Sequence, residues 1–177
     1  MKNFKWPVAV LVFLLTTAVF AGVVVLRQRQ LVNEPLIRRL NDLAGVESVQ
    51  LRRQDGVQVI SVRLAYVPDL ATTYRELDRE TSSLLGRKSY RLELQDARDE
   101  TLSAAFSEVH LALYEGERRG NFTAMAGLVS ATMAEFSLRE YRLTVDRDRI
   151  YFQARNGAYR LYAVIERRSN SEAGEQT

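Results

Sequence analysis

Residues 7–26 read PVAVLVFLLTTAVFAGVVVL, 20 residues without a charge. A helix of that length rises roughly 30 Å, the depth of a bilayer's hydrocarbon core. In lipid every backbone N–H and C=O must be satisfied within the segment, which leaves a helix as the workable form. Lys2, Lys5 and Trp6 precede the run, and Arg27 and Arg29 follow it. Cations and an interfacial aromatic hold a spanning helix at depth. The stretch predicts a transmembrane helix over 7–26, behind an N-terminal tail over 1–6. Val19-Phe20-Ala21 before Gly22 has the form of a signal-cleavage site. A signal core, however, is about 7–15 apolar residues, and this run continues to Leu26. Ala18 and Gly22 form a small-xxx-small pair, a spacing that lets two helices approach closely. A buried core helix fits poorly, because the run has no polar face.

Of the 25 Lys and Arg, two precede residue 26, so the remainder carries 23 against 22 Asp and Glu. That near balance, without a basic cluster, argues against dedicated nucleic-acid binding. The chain has no Cys, which removes disulfides, thiolate metal sites and cysteine nucleophiles. The roughly 150 residues after the apolar run suffice for one ordinary domain or two very small ones. A count of Lys2 and Lys5 against Arg27, Arg29, Arg38 and Arg39 favours a cytosolic remainder. The short Lys-bearing start before a long apolar core has instead the form of a bacterial signal anchor, and an extracytoplasmic soluble part is the expectation adopted.

After the apolar run, Asn33 reads as an N-cap with Glu34 and Pro35 in the first turn. Leu36, Ile37, Leu40, Leu43 and Ala44 recur at helical spacing, and Gly45 stops the helix. Residues 48–53 and 58–67 read as strands around an Asp55-Gly56 hairpin, the second alternating Ile60, Val62, Leu64 and Tyr66. Asp69 caps a helix with the stripe Leu70, Tyr74, Leu77, Thr81 and Leu84, closed by Gly86. Residues 89–95 form a strand with Tyr90, Leu92 and Leu94 on one face. The second half opens with two helices. Residues 99–118 carry Leu102, Phe106, Val109 and Leu113, with Gly116 and Gly120 marking a frayed end. Residues 121–136 carry Phe122, Met125, Val129, Met133 and Phe136. Strands follow over 141–146, 149–155 and 158–167, the last two joined at Asn156-Gly157 by a type I′ turn signal. The predicted fold class is α+β: the transmembrane helix, an αββαβ subdomain over 27–96, an ααβββ subdomain over 97–167, helices packed on antiparallel sheets, and a disordered tail over 168–177. No linker rich in Gly, Pro or Ser separates the halves, so they are expected to pack together.

Residues 33–96, with Gly45-Val46 before a strand and Asp55-Gly56 in the hairpin of that αββαβ order, resemble two groups of bacterial membrane-associated assembly proteins. These are the ring-building-motif domains of sporulation and secretion machinery and the alkaline-shock membrane-anchor family. The resemblance covers about a third of the chain. It implies a non-enzymatic assembly role with lateral packing of copies, and no catalytic residue.

The chain offers little reactive chemistry. His110 is the single histidine, and a metal site with Glu108 or Glu115 would need carboxylates alone to complete it. A helix-surface or interhelical histidine is the expected reading. Asp96, Asp99 and Glu100 form an acidic cluster that suits helix capping and the helix dipole better than cation binding or acid–base work. Asp146-Arg147-Asp148-Arg149 is a charged tight turn that lacks the Gly and distal Glu of a calcium loop. Asn121-Phe122-Thr123 fits a glycosylation sequon, but Asn121 reads as a helix cap. No phosphate-binding glycine loop and no nucleophile elbow occur. Tyr151 and Tyr162, with Val164, fall on the face opposite the main stripes of the last hairpin, and Tyr159 lies nearby. That face either packs in the core, the preferred reading, or meets a partner.

No catalytic, cofactor-binding or metal-ligating residue is therefore assigned, and no cofactor is expected. The expected function is that of a single-pass membrane-anchored, non-catalytic interaction or assembly protein of the bacterial cell envelope, a sporulation- or secretion-type scaffold. Its expected partners are the lipid bilayer and other membrane or envelope proteins, including further copies of itself. The alternative is a membrane-tethered ligand-binding or sensor module with its pocket between the halves. A third reading is a hydrolase using Asp96, Asp99 or Glu100.

Overall fold

The computed structural model describes residues 10, 13–17, 19–20, 33–86 and 88–167. The first half runs α1 (Glu34–Asn41), β1 (Val46–Gln54), β2 (Val57–Leu64), α2 (Leu70–Leu85) and β3 (Tyr90–Gln95). The second runs α3 (Glu100–Arg119), α4 (Phe122–Glu135), β4 (Glu140–Val145), β5 (Arg149–Asn156) and β6 (Tyr159–Glu166). The architecture is α+β with two three-stranded sheets, ordered β1-β2-β3 and β4-β5-β6.

The expected fold class is corrected at its first element. The predicted transmembrane helix over 7–26 lies largely outside the described residues, as do the tails over 1–6 and 168–177 and the Ala18–Gly22 pair. Val10, residues 13–17 and residues 19–20 are helical, but no helix among the described residues is long and apolar enough to cross a membrane. α4 carries no charge before Glu135, yet its 14 residues rise only about 21 Å. α1, α2 and α3 are amphipathic and carry charges at water-facing positions.

A second correction concerns strand direction. β4, β5 and β6 pair antiparallel throughout, but β3 pairs parallel to β2, from Gln58 opposite Tyr90 to Arg63 opposite Gln95. α2 carries the chain back along the sheet, so the next strand repeats the direction of β2. Three local readings also change. Asn33 has helical torsions and makes no side-chain cap bond. β2 ends at Leu64, and Tyr66 is exposed while Val67 is buried, because the Ala65 amide turns to the Gly45 carbonyl. The last hairpin turns at Gly157-Ala158, with Gly157 alone at φ +59°, a type II′ pattern in place of the predicted I′. Asn156 stays in β5, where its amide donates to Asp99 at 2.7 Å.

The cores follow from the strand period. Ile60, Val62, Leu64 and Val49 face α1 and α2, meeting Leu36, Leu40 and Leu77. On the second sheet Ile150, Phe152, Ala154, Leu161 and Ile165 face α3 and α4, meeting Leu102, Val109, Leu113, Met125, Val129 and Met133. The opposite face of β5 and β6 is also covered: Tyr151 and Tyr162 belong to the first half's core. The second sheet is thus buried on both sides, with Tyr74 of α2 edge-on to Tyr151 at 5.9 Å. Gly116 is buried inside α3 rather than at a frayed end. It leaves room for Met125, since a Cβ there would lie 2.5 Å from the Met125 sulfur.

Candidate functional site

Two side chains of the second sheet hold the backbone that joins β2 to α2. The Tyr162 hydroxyl donates to the Ala65 carbonyl at 2.7 Å and accepts the Val67 amide at 3.3 Å. The Gln153 amide donates to the Val67 carbonyl at 2.9 Å, and its oxygen accepts the Leu70 amide at 2.6 Å. Gln153 and Tyr162 are cross-strand partners, so the period of two puts both on the face turned to the first half. Buried backbone groups need partners, and these two side chains supply them where no strand does. Arg149 completes the seam, 3.0 Å from Asp78 and stacked on the Tyr74 ring at 5.1 Å. The Tyr90 hydroxyl donates to the other Asp78 oxygen at 2.6 Å.

Beside this seam the outer strands of the two sheets, β3 and β6, run antiparallel and meet at one point. Ala97 and Arg160 exchange both backbone hydrogen bonds, at 3.1 and 2.8 Å. The ladder stops there for a geometric reason. Within β3 the odd residues bond to β2, as the Gln58 amide bond to the Ser89 carbonyl fixes. Ala97, also odd, points instead toward β6, so the two edges are one residue out of phase beyond it. Asp96 takes the next rung, its carboxylate accepting the Tyr162 amide at 3.2 Å and the Arg98 guanidinium at 2.7 Å.

Past Asp96 the strands part around a groove of about 620 Å³. Leu92 and Leu94 of β3 line one side and Ala163, Val164 and Ile165 of β6 the other. α3 supplies an aromatic ladder at helical spacing. Phe106 lies 5.8 Å from His110, and His110 meets Tyr114 edge-on at 4.8 Å. Arg98 covers Phe106 at 4.4 Å and closes the end near Asp96.

The residues singled out in the sequence separate into distinct roles. His110 is on the exposed side of α3 among aromatic rings, and no group of three metal-ligating side chains exists among the described residues. Asp96 and Asp99 do not form an acid–base pair, because Asp99 caps α3 through the Leu102 amide at 2.8 Å while Asp96 faces β6. Glu100 is exposed in the first turn of α3. Asn121 caps α4 through the Ala124 amide at 3.2 Å. The Asp146 carboxylate accepts the amides of Asp148 and Arg149 and the Tyr151 hydroxyl at 2.8–3.0 Å. Burial pushes its pKa up, but these donors outweigh burial and hold it below the ordinary carboxylate range. Tyr159 is exposed at the hairpin end. Burial raises the Tyr162 and Tyr151 hydroxyls, and pushes Tyr74 and Tyr90 up to about 12.

Gln153, Arg98, Asp78 and Tyr114 escaped the sequence reading. Gln153 shares the strand parity of Tyr151, which was the available signal; the pairing of Asp78 with Arg149 has none, because it joins residues from opposite halves.

No known protein family matches the chain, and neither a curated protein nor a solved structure does.

Proposed function

We propose that this protein is a non-catalytic interaction and assembly component of a bacterial cell envelope. It is held at a membrane through the uncharged residues 7–26 and associates with further copies of itself and with other envelope proteins. Attachment asks for lipid contact by that run and not for a spanning helix.

One observation carries the assembly reading. α4 turns Thr123, Ala124, Ala126, Gly127, Leu128, Ser130, Ala131 and Ala134 to solvent, Leu128 is 53% exposed, and the one charge on this side is Glu135 at the last residue of the helix. A helix facing water ordinarily places charge on its outer side. Small residues let a second helix approach closely, and an exposed face uncharged over its first three turns favours association. The chain has no cysteine, so Leu128→Cys creates a single reporter. Disulfide-linked dimers of the full chain, and their loss of association with Leu128→Lys, are expected in cross-linking and light scattering. A strict monomer with no protein cross-linked to it in cells sinks the reading.

A further inference from the structure

We propose that the groove between β3 and β6 binds an extended polypeptide segment as an added strand on the β6 edge, with apolar side chains at alternate positions. This rests on the reading of the chain as an interaction protein, but it uses a different surface from the outer face of α4.

The backbone of β6 states what is missing. In the hairpin, Asn156 and Tyr159 form the closing pair, and odd residues of β6 bond inward to β5. Even residues point outward, as the Arg160 bonds to Ala97 and the Tyr162 amide bond to Asp96 demonstrate. Beyond these, the Tyr162 carbonyl and both backbone groups of Val164 have no partner among the described residues. Tyr162 and Val164 both line the groove. Such a row of donors and acceptors is the template that β-augmentation uses. β3 cannot supply the missing strand, because its edge is one residue out of phase and Asp96 occupies the rung between them.

Side-chain geometry selects the occupant. A strand beside β6 sends alternate residues to opposite faces of the second sheet. One set meets Phe106, His110 and Tyr114 on the α3 side. The other meets Tyr74 and Leu92 on the side of the first half. The rings of Phe106 and Tyr114 on one wall and Tyr74 with Leu92 on the other offer apolar contacts to alternate residues, and Arg91, Glu93, Arg98 and Glu166 line the same groove beside them. Backbone bonding supplies the affinity and these walls the specificity.

The test is selection of a displayed library of random seven-residue peptides on the full chain, followed by titration of the best labelled peptide. The expected result is enrichment of sequences with apolar residues at every second position. Methylating alternate backbone nitrogens of the winner should weaken binding at least tenfold, because it removes donors without changing side chains. Val164→Pro removes the outward amide while sparing the inward ladder, since proline is tolerated on a free edge. It should abolish binding, and His110→Ala should weaken it several-fold. No enriched sequence, or a winner that binds equally well when methylated, overturns the proposal. Should Val164→Pro fail to fold, the methylated peptide and His110→Ala decide. Leu128→Lys separates the two readings: it is expected to remove self-association and leave peptide binding unchanged.

Discussion

The side-chain oxygen of Gln153 accepts the Leu70 amide at 2.6 Å across 83 positions of sequence. With the second bond to the Val67 carbonyl, one buried glutamine ties the end of the first sheet to the centre of the second. Gln153→Leu leaves a buried donor and acceptor unsatisfied, each costing about 1–3 kcal/mol. Urea unfolding should show a loss of roughly 2–6 kcal/mol, with both halves still unfolding in one transition. An unchanged midpoint would show that the two Gln153 bonds contribute nothing.

Thr81 points the other way. It is fully buried in α2, and its hydroxyl has no hydrogen-bond partner among the described residues. Replacing an unsatisfied buried polar group by an apolar group of the same shape removes a desolvation penalty. Thr81→Val should raise stability by about 1 kcal/mol, read as a higher melting temperature. A lower one would mean that the hydroxyl is satisfied.

Gly116→Ala ordinarily favours a helix by about 1 kcal/mol. Here the new methyl would meet the Met125 sulfur at 2.5 Å and its Cβ at 2.7 Å, and the second atom cannot swing aside. Overpacking of this kind costs about 1–3 kcal/mol. Net destabilisation is expected by calorimetry; it should persist in part in a Met125→Ala background, which keeps the Cβ, and be relieved in a Met125→Gly background.

Acid should loosen the β4–β5 turn. The Asp146 carboxyl has its folded pKa below the ordinary value. Its stabilisation is therefore complete above the unfolded carboxyl pKa of about 3.9 and is lost as pH falls through the lower folded value. Asp146→Asn should flatten that acid limb in pH-dependent unfolding and lower stability near neutrality.

Alkali acts on the seam with the opposite sign. Burial, with the Asp78 carboxylate adding to it, holds the Tyr74 and Tyr90 hydroxyls at about 12. Stability is complete below the unfolded tyrosine pKa of about 10 and falls as pH rises toward 12. Tyr90→Phe should reduce the loss between those limits, followed by fluorescence.

The sequence by itself determined the elements, because their signals are local. Asp69, Asp99 and Asn121 announce helix starts, and their side chains do accept the first-turn amides. Alternation along β5 and β6 sorted Ile150 and Phe152 from Tyr151 and Tyr162 before any partner was known. Tertiary structure alone decided what those two faces meet. Tyr151 and Tyr162 cover the first half, and the strand direction of β3 was set by the return path over α2. The groove was illegible for the same reason. It exists because Ala97 is out of phase with the rest of β3 and Asp96 fills the next rung of β6, a relation between residues that no one-dimensional period records.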